Sequence, residues 1–146
     1  MTPNYNDFLT GLSGAAMMFI LFIIIGALIV RILFLLNLHK TLEAVSPENR
    51  KMEPGLVWLA LIPIFYWIWH FFIVTNISES LKNEFQSREI QLPEEKPAYN
   101  MCLAYSILSI AVIVPFFGGL AGLAALVFMI IYWVKTSEYK NKLNNM

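Results

Sequence analysis

Long apolar stretches alternate along this chain with short polar segments, and nearly every Lys, Arg, Asp and Glu lies in the polar segments. The first stretch covers residues 11–36, and its centre, residues 17–30, contains no polar side chain. A bilayer core is crossed by roughly 20 apolar residues in a helix, so this stretch predicts one crossing. Leu38, Leu42 and Val45 carry the apolar positions onward at helical spacing among Lys40, Thr41 and Glu43, which predicts a helix that projects beyond the lipid. Ser46 and Pro47 suit the N-cap and first position of a new short turn.

The second stretch, residues 55–77, has Pro63 near its middle and a dense aromatic set that includes Trp58, Tyr66, Trp67 and Trp69. Proline lacks the amide donor and crowds the carbonyl four residues earlier, that of Leu59, so the expectation is one helix over about 53–89 kinked at Pro63. After Ile77 the pattern turns amphipathic. Ile77, Leu81 and Phe85 fall on one side, with Glu84 and Arg88 as an i,i+4 pair on the polar side. Pro93 and Pro97 then end the helix, making residues 78–98 a charged extramembrane helix and linker.

The third stretch, residues 99–134, would reach about 50 Å as one helix, too far for a single crossing. Pro115-Phe116-Phe117-Gly118-Gly119 supplies a tight turn, so a helical hairpin is predicted over about 98–115 and 118–136. Gly118 and Gly122 stand at GxxxG spacing beside Ala121 and Ala125, a pattern that lets two helix backbones approach closely. Tyr132, Trp133 and Lys135 close the stretch as an interfacial anchor, and residues 136–146 remain outside. The fold class that follows is all-α: a single polytopic membrane domain, residues 1–146, built as a four-helix bundle over about 8–45, 53–89, 98–115 and 118–136.

Composition agrees, with 58% hydrophobic and 14% charged residues. Soluble domains have roughly 45–50% and about 25%. Zero net charge leaves no basic field to draw nucleic acid. The single cysteine, Cys102, excludes an internal disulfide and a thiolate metal cluster within one chain. The N-terminal segment carries no Lys or Arg ahead of its apolar run, so the expectation is that the first helix is not a cleaved signal.

Orientation depends on Pro63. With four crossings, Lys82, Arg88, Lys96, Lys135, Lys140 and Lys142 share one side with both termini, which the positive-inside rule assigns to the cytoplasm. If the Pro63 segment instead enters and leaves by one face, Lys40, Arg50 and Lys51 join that side and the cation-free N-terminus lies outside. Four crossings are taken as the expectation, with the re-entrant arrangement as the alternative.

Three intramembrane polar residues are candidates for chemistry. Arg31 is the strong charge inside a span, set against its ability to snorkel to the interface. His70, with Tyr66 one turn behind it, suits a proton relay or a gate, set against a hydrogen bond to a neighbouring helix. Trp58, Trp67 and Trp69 suggest a groove for a lipid tail or a flat cofactor, set against ordinary lipid-facing rings. No two-histidine metal spacing exists, no nucleophile has a companion base, and no cofactor, metal or catalytic residue is assigned.

The run Pro54-Gly55-Leu56-Val57-Trp58, followed by Leu61-Ile62-Pro63-Ile64-Phe65 and Trp67, resembles a signature of small multi-pass bacterial membrane proteins of unknown function. In those proteins an IPxF-like kink is often followed by asparagine, where this chain has Tyr66. The resemblance implies a bacterial inner-membrane protein and no activity. The functional expectation is an accessory or structural subunit of a larger membrane assembly, with membrane lipid and other membrane chains or further copies as partners. A homo-oligomeric channel or small transporter using Arg31 and His70, and a lipid-binding protein, are the alternatives.

Overall fold

A computed structural model describes residues 4–92, 94–112 and 118–145, without the side chains of residues 5–9, 11, 12, 63, 64 and 67. Helix α1 runs Tyr5–Glu43, α2 Pro63–Ser87, α3 Tyr99–Ala111 and α4 Gly118–Asn144, with 3-10 segments at Pro47–Asn49 and Pro54–Leu61. All regular structure among the described residues is helical. Two helices contain segments long and apolar enough to cross a membrane, Ser13–Glu43 within α1 and Gly118–Asn144, and α3 is a shorter apolar helix. The predicted turn residues 115–117 and Pro93 lie outside the described residues, while Gly118 and Gly119 open α4.

The chain divides into two compact units, Met1–Phe34 and Leu35–Met146. From Tyr5 onward the first is helix. Within it every residue from 13 to 30 is exposed, including Met17, Phe19, Phe22 and Ile24.

The second unit has a continuous core. Leu38 and Leu42 from the end of α1, Val57 and Ala60 from the 3-10 segment, Ile73, Ile77, Leu81 and Phe85 from α2, Cys102 from α3 and Tyr132 from α4 are all buried. The predicted amphipathic rows 38–42–45 and 77–81–85 therefore face inward as their spacing requires. Side chains such as Leu123, Leu126 and Ile130 of α4 and Ile107 of α3 remain exposed, forming an apolar outer surface.

The expected single helix over 53–89 is not what forms. A 3-10 segment ends at Leu61, Ile62 is extended (φ −74°, ψ 114°), and Pro63 occupies the first turn of a new helix. The residue before a proline is pushed out of the α region, and proline's fixed φ fits a helix start, so local preferences permit a break here as well as a kink. The Leu59 carbonyl that Pro63 would have left without a donor accepts the Ile62 amide at 3.1 Å.

Beyond the break, the chain folds back along itself. Ser46 binds Glu84, the Lys51 amide donates to Ser80 Oγ at 2.8 Å, and the Trp69 indole donates to the Leu56 carbonyl at 2.8 Å. Partner numbers fall as residue numbers rise, so residues 46–61 run antiparallel to α2, and this hairpin begins and finishes at the same end.

Two non-glycine residues with positive φ mark the joints around α2 and α3. Glu89 (φ 57°) closes α2, with the Ile90 amide reaching back to the Phe85 carbonyl at 2.9 Å and the Glu89 amide to that of Gln86 at 3.0 Å. Ala98 (φ 58°) opens α3, and its amide donates to Glu94 Oε2 at 3.1 Å. Glu94 also accepts from Lys135, which ties the linker to α4.

Of the small residues picked out in the sequence, Ala121 and Ala125 are buried. Gly118 is the one without room: an added Cβ would lie 2.5 Å from the Val112 carbonyl oxygen at the end of α3. At Gly122 it would meet only the Val112 side chain at 3.8 Å, an ordinary contact. Gly118→Ala is expected to lower stability in detergent by about 1–3 kcal/mol, because a backbone atom cannot yield as a side chain can. Gly122→Ala is expected to be neutral or slightly stabilising, since alanine is the better helix former. Thermal unfolding of the two variants side by side checks this.

Candidate functional site

Three polar centres are built into the second unit. At one end, Glu84 sits with only 1% of its surface exposed, although its spacing placed it on the polar side of α2. Its Oε2 accepts from the Ser46 amide at 2.9 Å and Asn49 Nδ2 at 2.8 Å. Its Oε1 accepts from Ser46 Oγ at 2.8 Å and from Arg88 Nε and Nη2 at 2.9 and 2.7 Å. Burial pushes the carboxyl upward most strongly, but the hydrogen bonds from Asn49, Ser46 and Arg88 together outweigh it and hold the pKa at about 2. An ionised carboxylate thus clamps the start of the folded-back segment onto α2.

Two arginines close helix ends nearby. Arg50 donates to the Val45 carbonyl just beyond α1 at 2.8 Å and to that of Glu43, its last residue, at 3.0 Å, and Arg88 Nη1 to the Leu143 carbonyl near the end of α4 at 3.3 Å. Lys82 pairs with Glu95 at 3.7 Å, and Lys142 lies over the Phe85 ring at 5.5 Å. The end of α1, the start of the folded-back segment, the end of α2, the linker before α3 and the end of α4 therefore meet in one charged zone.

The second centre joins α1 to α4. Asn37 Nδ2 donates to Thr136 Oγ1 at 2.8 Å, and its Oδ1 accepts from Ser137 Oγ at 2.8 Å and Lys140 Nζ at 3.0 Å. Asn37 and Thr136 are both buried. Asn37→Ala is expected to cost about 1–3 kcal/mol, because it leaves buried partners without a bond; Asn37→Asp, which keeps the acceptor facing Lys140 and loses the donor to Thr136, is expected to cost less. Thermal unfolding in detergent measures both.

The third centre contains two of the predicted residues. His70 is 1% exposed, with Tyr66 tilted over it at 5.2 Å and Tyr105 edge-on at 4.9 Å. The Tyr66 and Tyr105 hydroxyls bond at 2.7 Å, and His70 Nε2 stands 3.8 Å from Cys102 Sγ, the limit for a sulfur bond. The Tyr132 hydroxyl from α4 also faces the Cys102 thiol. A thiol and an imidazole side by side suggest a nucleophile and base, but nucleophilic work needs substrate access. Cys102 has none, being fully buried. The node brings polar side chains of α2 and α3 together in the core.

The other predicted residues are separate. Arg31 is half-buried and belongs to the first unit, so no site joining it to His70 is described. Trp58 packs on the His39 ring at 6.1 Å. Trp69 is stacked between Phe65 and Phe72 at 4.9 and 4.7 Å, and those two rings are exposed. The Trp67 side chain lies outside the described residues. No metal-holding group of His, Cys, Asp and Glu occurs among the described residues.

Sequence reasoning missed the Asn37 knot and the full coordination of Glu84. Asn37 was detectable as an amide set between Leu35 and Leu38 on an inward-facing row. The Ser46 and Asn49 bonds had no local signal, since their partner lies more than thirty positions away. Comparison with protein-family models, with curated proteins and with solved structures gives no match to this chain.

Proposed function

We propose that this chain is a small polytopic membrane protein serving as an accessory or structural subunit of a larger membrane assembly. The observation that carries the reading is the first unit, a helix whose apolar residues 17–30 are exposed on every face, over about 21 Å. Such a surface calls for lipid and for other apolar helices, the setting of a subunit with neighbours in the bilayer. The buried polar centres support it as well, because each is spent on joining elements of the chain.

In this reading α1 crosses once, the segment around Pro63 dips into the bilayer and returns, and α3 and α4 form a second hairpin. The charged zone gathers Lys40, Arg50, Lys51, Lys82, Arg88, Lys96, Lys135, Lys140 and Lys142, which favours a cytoplasmic position for it. The cation-free N-terminus then lies on the far side. The inner membrane of a bacterium suits this arrangement and the resemblance noted in the sequence.

The test is purification at native expression in a mild detergent. A reproducible co-purifying membrane chain that is lost in harsher detergent is the expected result. A protein that always runs alone would overturn the subunit reading.

A further inference from the structure

The C-terminal ends of α1 and α4 enclose a groove lined by Lys40, Glu43, Ala44, Lys140 and Asn144. Its charge is unbalanced. Among the described residues no carboxylate lies within ion-pair distance of Lys40 or Lys140, and the one lining carboxylate, Glu43, is turned to His39 Nε2 at 3.3 Å. Across the groove the Lys40 charge acts against that of Lys140, which bonds only Asn37 Oδ1.

Lysines near a helix C-terminus ordinarily offset the negative end of the helix. Here that task is already met, since Arg50 closes the carbonyls of Glu43 and Val45 and Arg88 that of Leu143. Two ammonium groups remain with no carboxylate partner among the described residues and a shared opening, together with a side-chain amide from Asn144. Lys140 follows the last exposed apolar residue of this part of α4, Val134, by six positions, about 9 Å along the axis, which is at the outer edge of a headgroup layer and within reach of it for a long lysine side chain.

We infer that this groove binds a phosphate-bearing anion, with Lys40 and Lys140 as its ligands and the headgroup of an anionic phospholipid as its source. The two lysines approach a tetrahedral phosphate from opposite helices, and the apolar face of α4 below the groove takes the acyl chains. Phosphate binding itself does not require the subunit reading; the lipid source rests on the membrane placement proposed above.

The test is thermal unfolding of the full chain in detergent micelles doped with phosphatidylglycerol, with phosphatidylcholine, or with inorganic phosphate alone. The expected result is a higher midpoint with phosphatidylglycerol than with phosphatidylcholine. Lys40→Gln, which removes an exposed side chain with no internal bond, should raise the half-saturating fraction of phosphatidylglycerol about fivefold, and the Lys40→Gln/Lys140→Gln pair about thirtyfold. Lys51→Gln, a change of the same charge outside the groove, should leave it unaltered. A rise with inorganic phosphate equal to that with the lipid keeps the phosphate site and overturns the lipid as its source. Equal midpoints in the two lipids with no response to phosphate, or a response that survives Lys40→Gln unchanged, overturns the site; neither result bears on co-purification, which tests the subunit reading.

Discussion

Single cysteines placed at Lys51, Gln91 and Asn145 in a Cys102→Ala background will all react with an impermeant maleimide from one face of the membrane, and a cysteine at Asn4 only from the other. The four native side chains are exposed, so access is set by the membrane and the outcome is close to all or none. Lys51 and Gln91 form the decisive pair because they flank the Pro63 segment. If that segment crossed once, they would lie on opposite faces. The hydrogen bonds of residues 46–56 with residues 84–69 of α2 bring the two flanks to the same end. Labelling of Lys51 and Gln91 from opposite sides would return the Pro63 segment to a single span.

Glu84→Ala will cost about 3 kcal/mol, because several hydrogen bonds to one buried, charged acceptor are lost while the exposed Arg88 returns to water. Arg88, Asn49 and both donors of Ser46 lose their acceptor together. Glu84→Gln will cost less, since it keeps one acceptor oxygen while turning an amide donor toward other donors. The same group sets a pH dependence. Its folded pKa of about 2 lies below the ordinary 4.5, so its contribution is complete above pH 4.5 and is lost as pH falls through 2. That contribution is about 3 kcal/mol. Resistance to unfolding by sodium dodecyl sulfate, measured between pH 6 and pH 2.5, should fall in the wild type and fall much less in Glu84→Gln. Equal slopes would show that Glu84 is not the titrating clamp.

Local pattern made much of this architecture legible. The apolar runs located α1, α3 and α4, and the four-residue spacing of Ile77, Leu81 and Phe85 correctly assigned an inward face, because periodicity and burial are linked through helix geometry alone. Ser46 and Pro47 likewise announced the short turn at Pro47–Asn49. His70 was recognisable as a polar residue needing a partner on another helix, and Cys102 of α3 stands beside it.

What the pattern left undecided was whether Pro63 bends a helix or begins one. Proline's local preferences permit both, and the choice turns on whether residues 46–61 gain more by extending a span or by pairing with α2. That balance is struck by Glu84, Ser80 and Trp69, whose partners are 13 to 38 positions distant in the chain. Sequence alone determined that this is a chain of apolar helices with charged joints, since hydropathy and helix period are properties of neighbouring residues. Only the tertiary structure decided that the second apolar stretch doubles back and that Glu84 and Asn37 are buried, because a hydrogen bond between distant residues leaves no mark on the local pattern of either one.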